Sequence, residues 1–151
     1  MSDTHSPEQR KKNMSAIRGK DTKPEVIIRK ELHKRGYRYR KNVKNLPGKP
    51  DIVLPKYKAV IFVNGCFWHM HDCKYFKMPN TRREWWKKKL SDTKRRDQLK
   101  INELMDSGWR VLVIWECQTK GKDFTSNKEL LMNEIVCWMD SQSTLLSIPP
   151  A

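Results

Sequence analysis

The chain has 151 residues, 37% hydrophobic and 32% charged, with 32 lysines and arginines against 17 aspartates and glutamates, a formal charge of +15. That length suits one domain with one sizeable core, and no apolar run of about 18 residues is present to predict a transmembrane helix. The basic excess points to a polyanionic partner, nucleic acid first, because lysine and arginine neutralise phosphates and release counterions.

The polar opening Met1–Ser2–Asp3–Thr4–His5 lacks an apolar signal-peptide core, which predicts a cytoplasmic protein. Ser6–Pro7–Glu8–Gln9 reads as a helix start that carries Met14 and Ile17 on one side and ends at Gly19. Thr22–Lys23–Pro24–Glu25 is a second capping-box pattern. Its helix runs to about Arg35 and stops at Gly36, burying Val26, Ile27, Ile28 and Leu32. Glu25 has two readings, a cap residue or a carboxylate reaching a metal-bound water, and spacing favours the cap. Tyr37–Arg38–Tyr39–Arg40 alternates like an edge strand. Leu46–Pro47–Gly48–Lys49–Pro50 is a turn, followed by short strands over Asp51–Leu54 and Lys58–Val63.

A long basic helix opens at Thr81–Glu84 and ends near Gly108, carrying Arg82, Arg83, Lys87, Lys88, Lys89, Lys94, Arg95 and Arg96. Arg110–Trp115 is a continuous apolar run, the pattern of a central strand covered on both faces. Phe124–Asn127 reads as loop, Lys128–Met139 as a helix burying Leu131, Ile135 and Trp138, and the last dozen residues as frayed. These elements predict an α/β fold, a single domain with a central mixed sheet flanked by helices. Residues 1–20 would form an N-terminal helix or arm, 21–140 the core and 141–151 a flexible tail.

The chemistry concentrates in Asn64–Gly65–Cys66–Phe67–Trp68–His69–Met70–His71–Asp72–Cys73, at the end of a predicted strand. Cys66, His69, His71 and Cys73 are closely spaced nitrogen and sulfur donors of the kind that bind zinc tetrahedrally. Spacing leaves open whether His69 or His71 is a ligand. The fourth ligand is Cys117, at a strand end, or Cys137, whose helical position otherwise predicts a buried, inert thiol. Four thiols in a cytoplasmic chain suit metal binding or burial better than disulfides. Asp51 is a carboxylate suited to Mg²⁺ and His69 an imidazole suited to act as a base, although taken alone each reads more simply as structural, Asp51 as a turn or strand-start residue. Phe67–Trp68 and Trp85–Trp86 are aromatic pairs able to wedge between bases, against the alternative of core packing. On a helix one of Trp85 and Trp86 faces inward and the other outward.

Together these motifs closely resemble the very short patch repair (Vsr) DNA mismatch endonucleases. The resemblance runs roughly from Arg10 to Trp138. It rests on Lys12–Asn13–Met14–Ser15–Ala16–Ile17, Leu46–Pro47–Gly48–Lys49–Pro50–Asp51, Val60–Ile61–Phe62, Gly65–Cys66–Phe67–Trp68–His69, His71-x-Cys73, Gly108–Leu112 and Trp115–Glu116–Cys117. It implies a restriction-endonuclease-like fold of the PD-(D/E)xK type. It implies a Mg²⁺-dependent endonuclease that nicks one strand 5′ of the thymine in a T:G mismatch left by 5-methylcytosine deamination.

By position, the resemblance implies that Asp51 and the Val63 carbonyl hold Mg²⁺, that His69 is the general base and that Glu25 supports the metal waters. It makes Cys66, His71, Cys73 and Cys117 a structural zinc site, and Phe67, Trp68, Trp86 and Met14 the wedge into DNA. It also implies a cytosine-5 methyltransferase as functional partner, the mismatch-repair protein MutL and a repair polymerase as further partners, and a monomer associated with the nucleoid. Two departures stand out. The acidic-x-lysine of the wider nuclease signature is missing from Phe62–Val63–Asn64, as in the resembled family. Asn64 replaces the histidine of well-known members, and an amide carries no proton at neutral pH.

Overall fold

The computed structural model describes residues 22–41, 43–74, 76–119 and 124–149. The expected first helix and Met14 lie outside the described residues.

Helix α1 (Lys23–Lys34) is followed by strands β1 (Arg40–Lys41), β2 (Ile52–Leu54) and β3 (Ala59–Asn64). Helix α2 (Arg83–Asp106), strand β4 (Arg110–Trp115), helix α3 (Phe124–Asp140) and strand β5 (Leu145–Ile148) complete the order. The strands form one mixed sheet in the order β1-β2-β3-β4-β5. The β1–β2 and β2–β3 pairs are antiparallel, and β3–β4 and β4–β5 are parallel.

Burial explains why β3 and β4 sit centrally. All six residues of β3 are buried, as are Val111–Ile114 of β4, which fits near-continuous apolar strands covered on both faces. Ile52, Leu54, Ile61, Val63, Leu112 and Ile114 pack with Ile28 and Leu32 of α1 and with Leu131, Met132 and Ile135 of α3. Val53, Val60, Phe62, Val111 and Val113 face Leu104 of α2 instead. Truncating a side chain such as Ile114 to alanine would cost about 2–5 kcal/mol, the transfer and cavity terms together.

Gly36 and Gly108 end α1 and α2 at positive φ, +89° and +91°. In each case the next amide bonds back to the last turn, Tyr37 to the Leu32 carbonyl and Trp109 to the Leu104 carbonyl. This closure satisfies carbonyls the helix leaves free and needs the left-handed residue that glycine supplies.

Three expectations need correction. The predicted capping box does not form: Thr22 occupies the N-cap in extended conformation without a side-chain cap bond. Helix α3 begins at Phe124, so the stretch read as loop is helical. The predicted frayed end carries β5, paired with β4 and burying Ile148. Arg110 anchors the turn before it, donating to the carbonyls of Trp138, Met139 and Ser143.

Candidate active site and metal centre

Three elements meet at the end of β3. Asp51 immediately precedes β2, and pairing with β3 fixes it twice. Its amide donates to the Ile61 carbonyl at 3.1 Å, and its Oδ2 accepts the Val63 amide at 2.7 Å. Glu25 projects from the first turn of α1 and is 1% exposed. Thr22 Oγ1 donates to Glu25 Oε1 at 3.2 Å, and Arg29 Nη1 donates to Oε2 at 3.4 Å. The hydroxyl expected to cap the helix therefore holds a carboxylate.

The Glu25 carboxyl is the charged neighbour that acts most strongly on Asp51. Burial, foremost, and the neighbouring Glu25 push the Asp51 carboxyl up to about 7, against the pull of the Val63 amide and of Arg29. Two carboxyls this close cannot both ionise cheaply without a cation between or beside them. The pair thus fits a hard, oxygen-liganded ion such as Mg²⁺.

These groups line a cleft of about 800 Å³, with Asn64, His69, Asp97 and Glu116 also on its walls. His69 Nδ1 is hydrogen-bonded to Asp97 Oδ2. That contact fixes the ring and leaves Nε2 as the nitrogen available for proton transfer. Asp97 was not among the residues expected from sequence. A signal was there: Leu90, Asp97 and Leu104 repeat every seven positions, and Leu90 and Leu104 are the two buried residues of α2. Asp97 is the acidic residue on the inward stripe of a basic helix. Asn64 is 9% exposed at the end of β3, where it lines the same cleft.

The same loop also gathers a second, separate set of donors. The ligand atoms of Cys66, His71, Cys73 and Cys117 all lie within 4.8 Å of one another, and His69 is not among them. His71 Nδ1 stands 3.7 Å from Cys117 Sγ, and its ring stacks on Trp115 at 4.3 Å, 8° from parallel. Burial pushes the thiols of Cys66 and Cys117 upward and holds His71 toward its neutral form. Three thiols and an imidazole converging in a partly buried site fit a tetrahedral, thiophilic cation. Cys137 lies outside this cluster and is exposed on α3, not buried as its apolar neighbours suggested.

Phe67 and Trp68 line the cleft mouth and meet the start of α2. Phe67 lies 5.1 Å from Trp68 and 5.5 Å from Trp86, ring to ring, and Trp86 lies 4.9 Å from Trp85. Trp68 is 37% and Trp85 46% exposed, while Phe67 and Trp86 are half-buried within the group. Trp86 therefore packs on neighbouring aromatics, not in the core under the sheet. Beyond this ledge all eight basic residues picked out, Arg82 at the N-cap of α2 and seven within it, are exposed.

A mixed sheet whose paired carboxyls, oriented histidine and aromatic ledge share one cleft beside a basic helix defines a metal-dependent nuclease acting on DNA. Comparison with known proteins sharpens that class. The family model described as DNA mismatch endonuclease Vsr matches residues 2–75. The DNA mismatch endonuclease Vsr of Escherichia coli K12 is 40% identical over 139 residues, spanning 91% of this chain and 89% of that protein. The type II nicking enzyme V.XorIIP of Xanthomonas oryzae pv. oryzae is 46% identical over 118 residues, 78% of this chain and 87% of its own length. The type II nicking enzyme V.NmeAIP of Neisseria meningitidis is 44% identical over 122 residues, 81% and 87% of the two chains. The chain belongs to the Vsr family of DNA mismatch endonucleases, which act in very short patch repair by hydrolysing a phosphodiester bond.

Proposed function

We propose that this endonuclease nicks a single strand 5′ of the thymine in a T:G mismatch, with Mg²⁺ in the catalytic cleft and zinc in the Cys/His cluster. The observation that carries this reading is the sharing of one cleft by the Asp51–Glu25 carboxyls and the His69–Asp97 pair. Asp51 and the Val63 carbonyl would hold Mg²⁺. When bound, that ion supplies Lewis-acid stabilisation of the charge that builds on the phosphoryl oxygens. His69 Nε2 takes the proton of the attacking water, and Asp97 stabilises the imidazolium that results. Glu25 orients water on the metal side of the cleft. Asn64 can hydrogen-bond a phosphate oxygen but moves no proton, so proton transfer falls to His69.

Phe67, Trp68 and Trp86, with Met14 from the N-terminal arm, wedge into the duplex. Unstacking costs a few kcal/mol and least at a mismatched pair, which favours a T:G site over matched DNA. The exposed lysines and arginines of α2 follow the phosphate backbone. Cys66, His71, Cys73 and Cys117 hold the zinc that closes the His69 loop. The mismatch arises where a cytosine-5 methyltransferase has acted, and MutL and a repair polymerase take over the nick. The enzyme works as a monomer in the cytoplasm, on nucleoid DNA.

A nicking assay tests this reading, using matched and T:G duplexes in several methyltransferase contexts, with Mg²⁺ or EDTA. A Mg²⁺-dependent nick confined to the T:G duplex supports it. Equal cutting of matched DNA makes the protein a restriction-type nuclease. Tight binding with no cutting in any context makes it a zinc-stabilised binding module.

A further inference from the structure

Arg29 has no part in the roles assigned above, yet among the described residues it is one of the few charged side chains that are buried. It is 6% exposed, on the second turn of α1, and its guanidinium lies 3.4 Å from Glu25 Oε2. Glu25 is also held by Thr22 through its other oxygen. The carboxylate is thus gripped on both oxygens from its own helix and N-cap, while it shares the cleft lining with Asp51. A buried arginine is retained at a desolvation cost, and removing one partner of such a pair is expensive. The planar guanidinium suits a fixed carboxylate better than a flexible ammonium does.

We propose that Arg29 is a positioning residue of the catalytic centre, holding Glu25 in the orientation that faces Asp51. Without that hold, Glu25 and Asp51 would repel each other whenever both are charged, and Glu25 would swing away from the cleft. Arg29 lies close enough to Asp51 to favour its charged form as well. The guanidinium therefore sets the geometry and charge that a divalent cation meets on entry. This inference rests on the metal-dependent reading of the cleft.

The test uses full-length Arg29→Lys and Arg29→Gln, with Glu25→Gln and the Arg29→Lys/Glu25→Gln pair completing a double-mutant cycle. Three quantities are read: kcat and KM on a T:G duplex, the Mg²⁺ concentration giving half-maximal rate, and the Tm rise that Mn²⁺ produces without DNA. Arg29→Lys should lower kcat by roughly three- to tenfold with KM nearly unchanged, and should need more Mg²⁺. Arg29→Gln should lower kcat further. The Mn²⁺-induced Tm rise should shrink in Arg29→Lys, but Arg29→Lys should have no added effect once Glu25 is glutamine.

Arg29→Lys retains the charge, so it is the variant that decides the matter even if the glutamine variant does not fold. Wild-type kcat and Mg²⁺ midpoint in Arg29→Lys, with only a lowered Tm, would overturn the proposal. So would equal effects of Arg29→Lys with and without Glu25. Failure of the wild-type protein to nick in the same assay would instead overturn the reading of the cleft.

Discussion

The two sides of the loop from Asn64 to Cys73 solve opposite problems. On one side, Asp51, Glu25, His69 and Asp97 face an open cleft of about 800 Å³. On the other, Cys66, His71, Cys73 and Cys117 close on one another within 4.8 Å. The first set offers oxygen donors and leaves room for substrate. The second offers sulfur and nitrogen donors and leaves none. The two are stitched together by short backbone links: the His69 amide bonds the Gly65 carbonyl at 3.2 Å, and the His71 amide bonds the Cys66 carbonyl at 2.8 Å. Glu116 accepts the Cys66 amide at 3.2 Å from the end of β4, next to Cys117. A closed cluster therefore fixes the backbone from which His69 projects. Rigidity is concentrated in one half so that the other can stay open.

This contrast can be broken from either side. The largest effect should come from Asp51→Ala, which removes the carboxylate facing the cleft. Nicking should fall by about 10³-fold or more, while duplex affinity and zinc content stay near wild type. Loss of duplex binding alongside cleavage would mean that Asp51 serves the fold. Cys117→Ser should empty the cluster and unfold the protein, whereas Cys137→Ser should change neither zinc content nor Tm. Equal zinc content in these two variants would refute the ligand set.

Smaller changes sharpen the picture of the open half. Asp97→Asn should lower kcat by roughly 10²-fold, because the amide no longer stabilises an imidazolium or fixes its tautomer. An unchanged kcat would leave His69 without an orienting partner. Trp86→Ala should cost about tenfold in the preference for T:G over matched DNA, with the intrinsic Mg²⁺ requirement intact.

The smallest effect concerns pH. The Asp51 carboxyl is raised from its ordinary value near 4 to about 7 in the folded protein. A raised carboxyl stabilises the fold below its unfolded value, and that contribution disappears as pH rises through about 7. Zinc-loaded protein without Mg²⁺ should therefore lose some Tm between pH 5.5 and 8, and Asp51→Asn should flatten that loss. Added Mg²⁺ should flatten it too, since the ion stabilises the charged form. A wild-type slope unaffected by either change would place the titration elsewhere.

Much of this was legible in the residues. The continuous apolar run of β4 announced a central strand, because burial on both faces leaves no polar alternation to blur it. Local clustering announced the Cys/His site, since three of its four ligands lie within eight residues. Cys117 joined them from β4 because parallel pairing aligns Asn64 with Trp115 and so brings the two strand ends together. What escaped was set by contacts distant in sequence. Glu25 was reached only through the family resemblance, because spacing alone reads it as a cap; α1 sets it beside Asp51. Asp97 looks like one more charge on a polar helix until α2 crosses the cleft mouth beside His69. Strand β5 is four residues long, too short to show a period, and exists because β4 offers it an edge. The exposure of Cys137 depends on which way α3 turns, which its apolar neighbours misreport.

The most direct test is single-turnover cleavage of a T:G duplex labelled separately on each strand, across a Mg²⁺ titration, with zinc content measured in the same samples. The open cleft and closed cluster predict one nick, on the thymine strand at its 5′ side, whose rate follows Mg²⁺ while zinc stays constant. Full-rate nicking by zinc-loaded protein without Mg²⁺, or cutting of both strands, would contradict that division of labour.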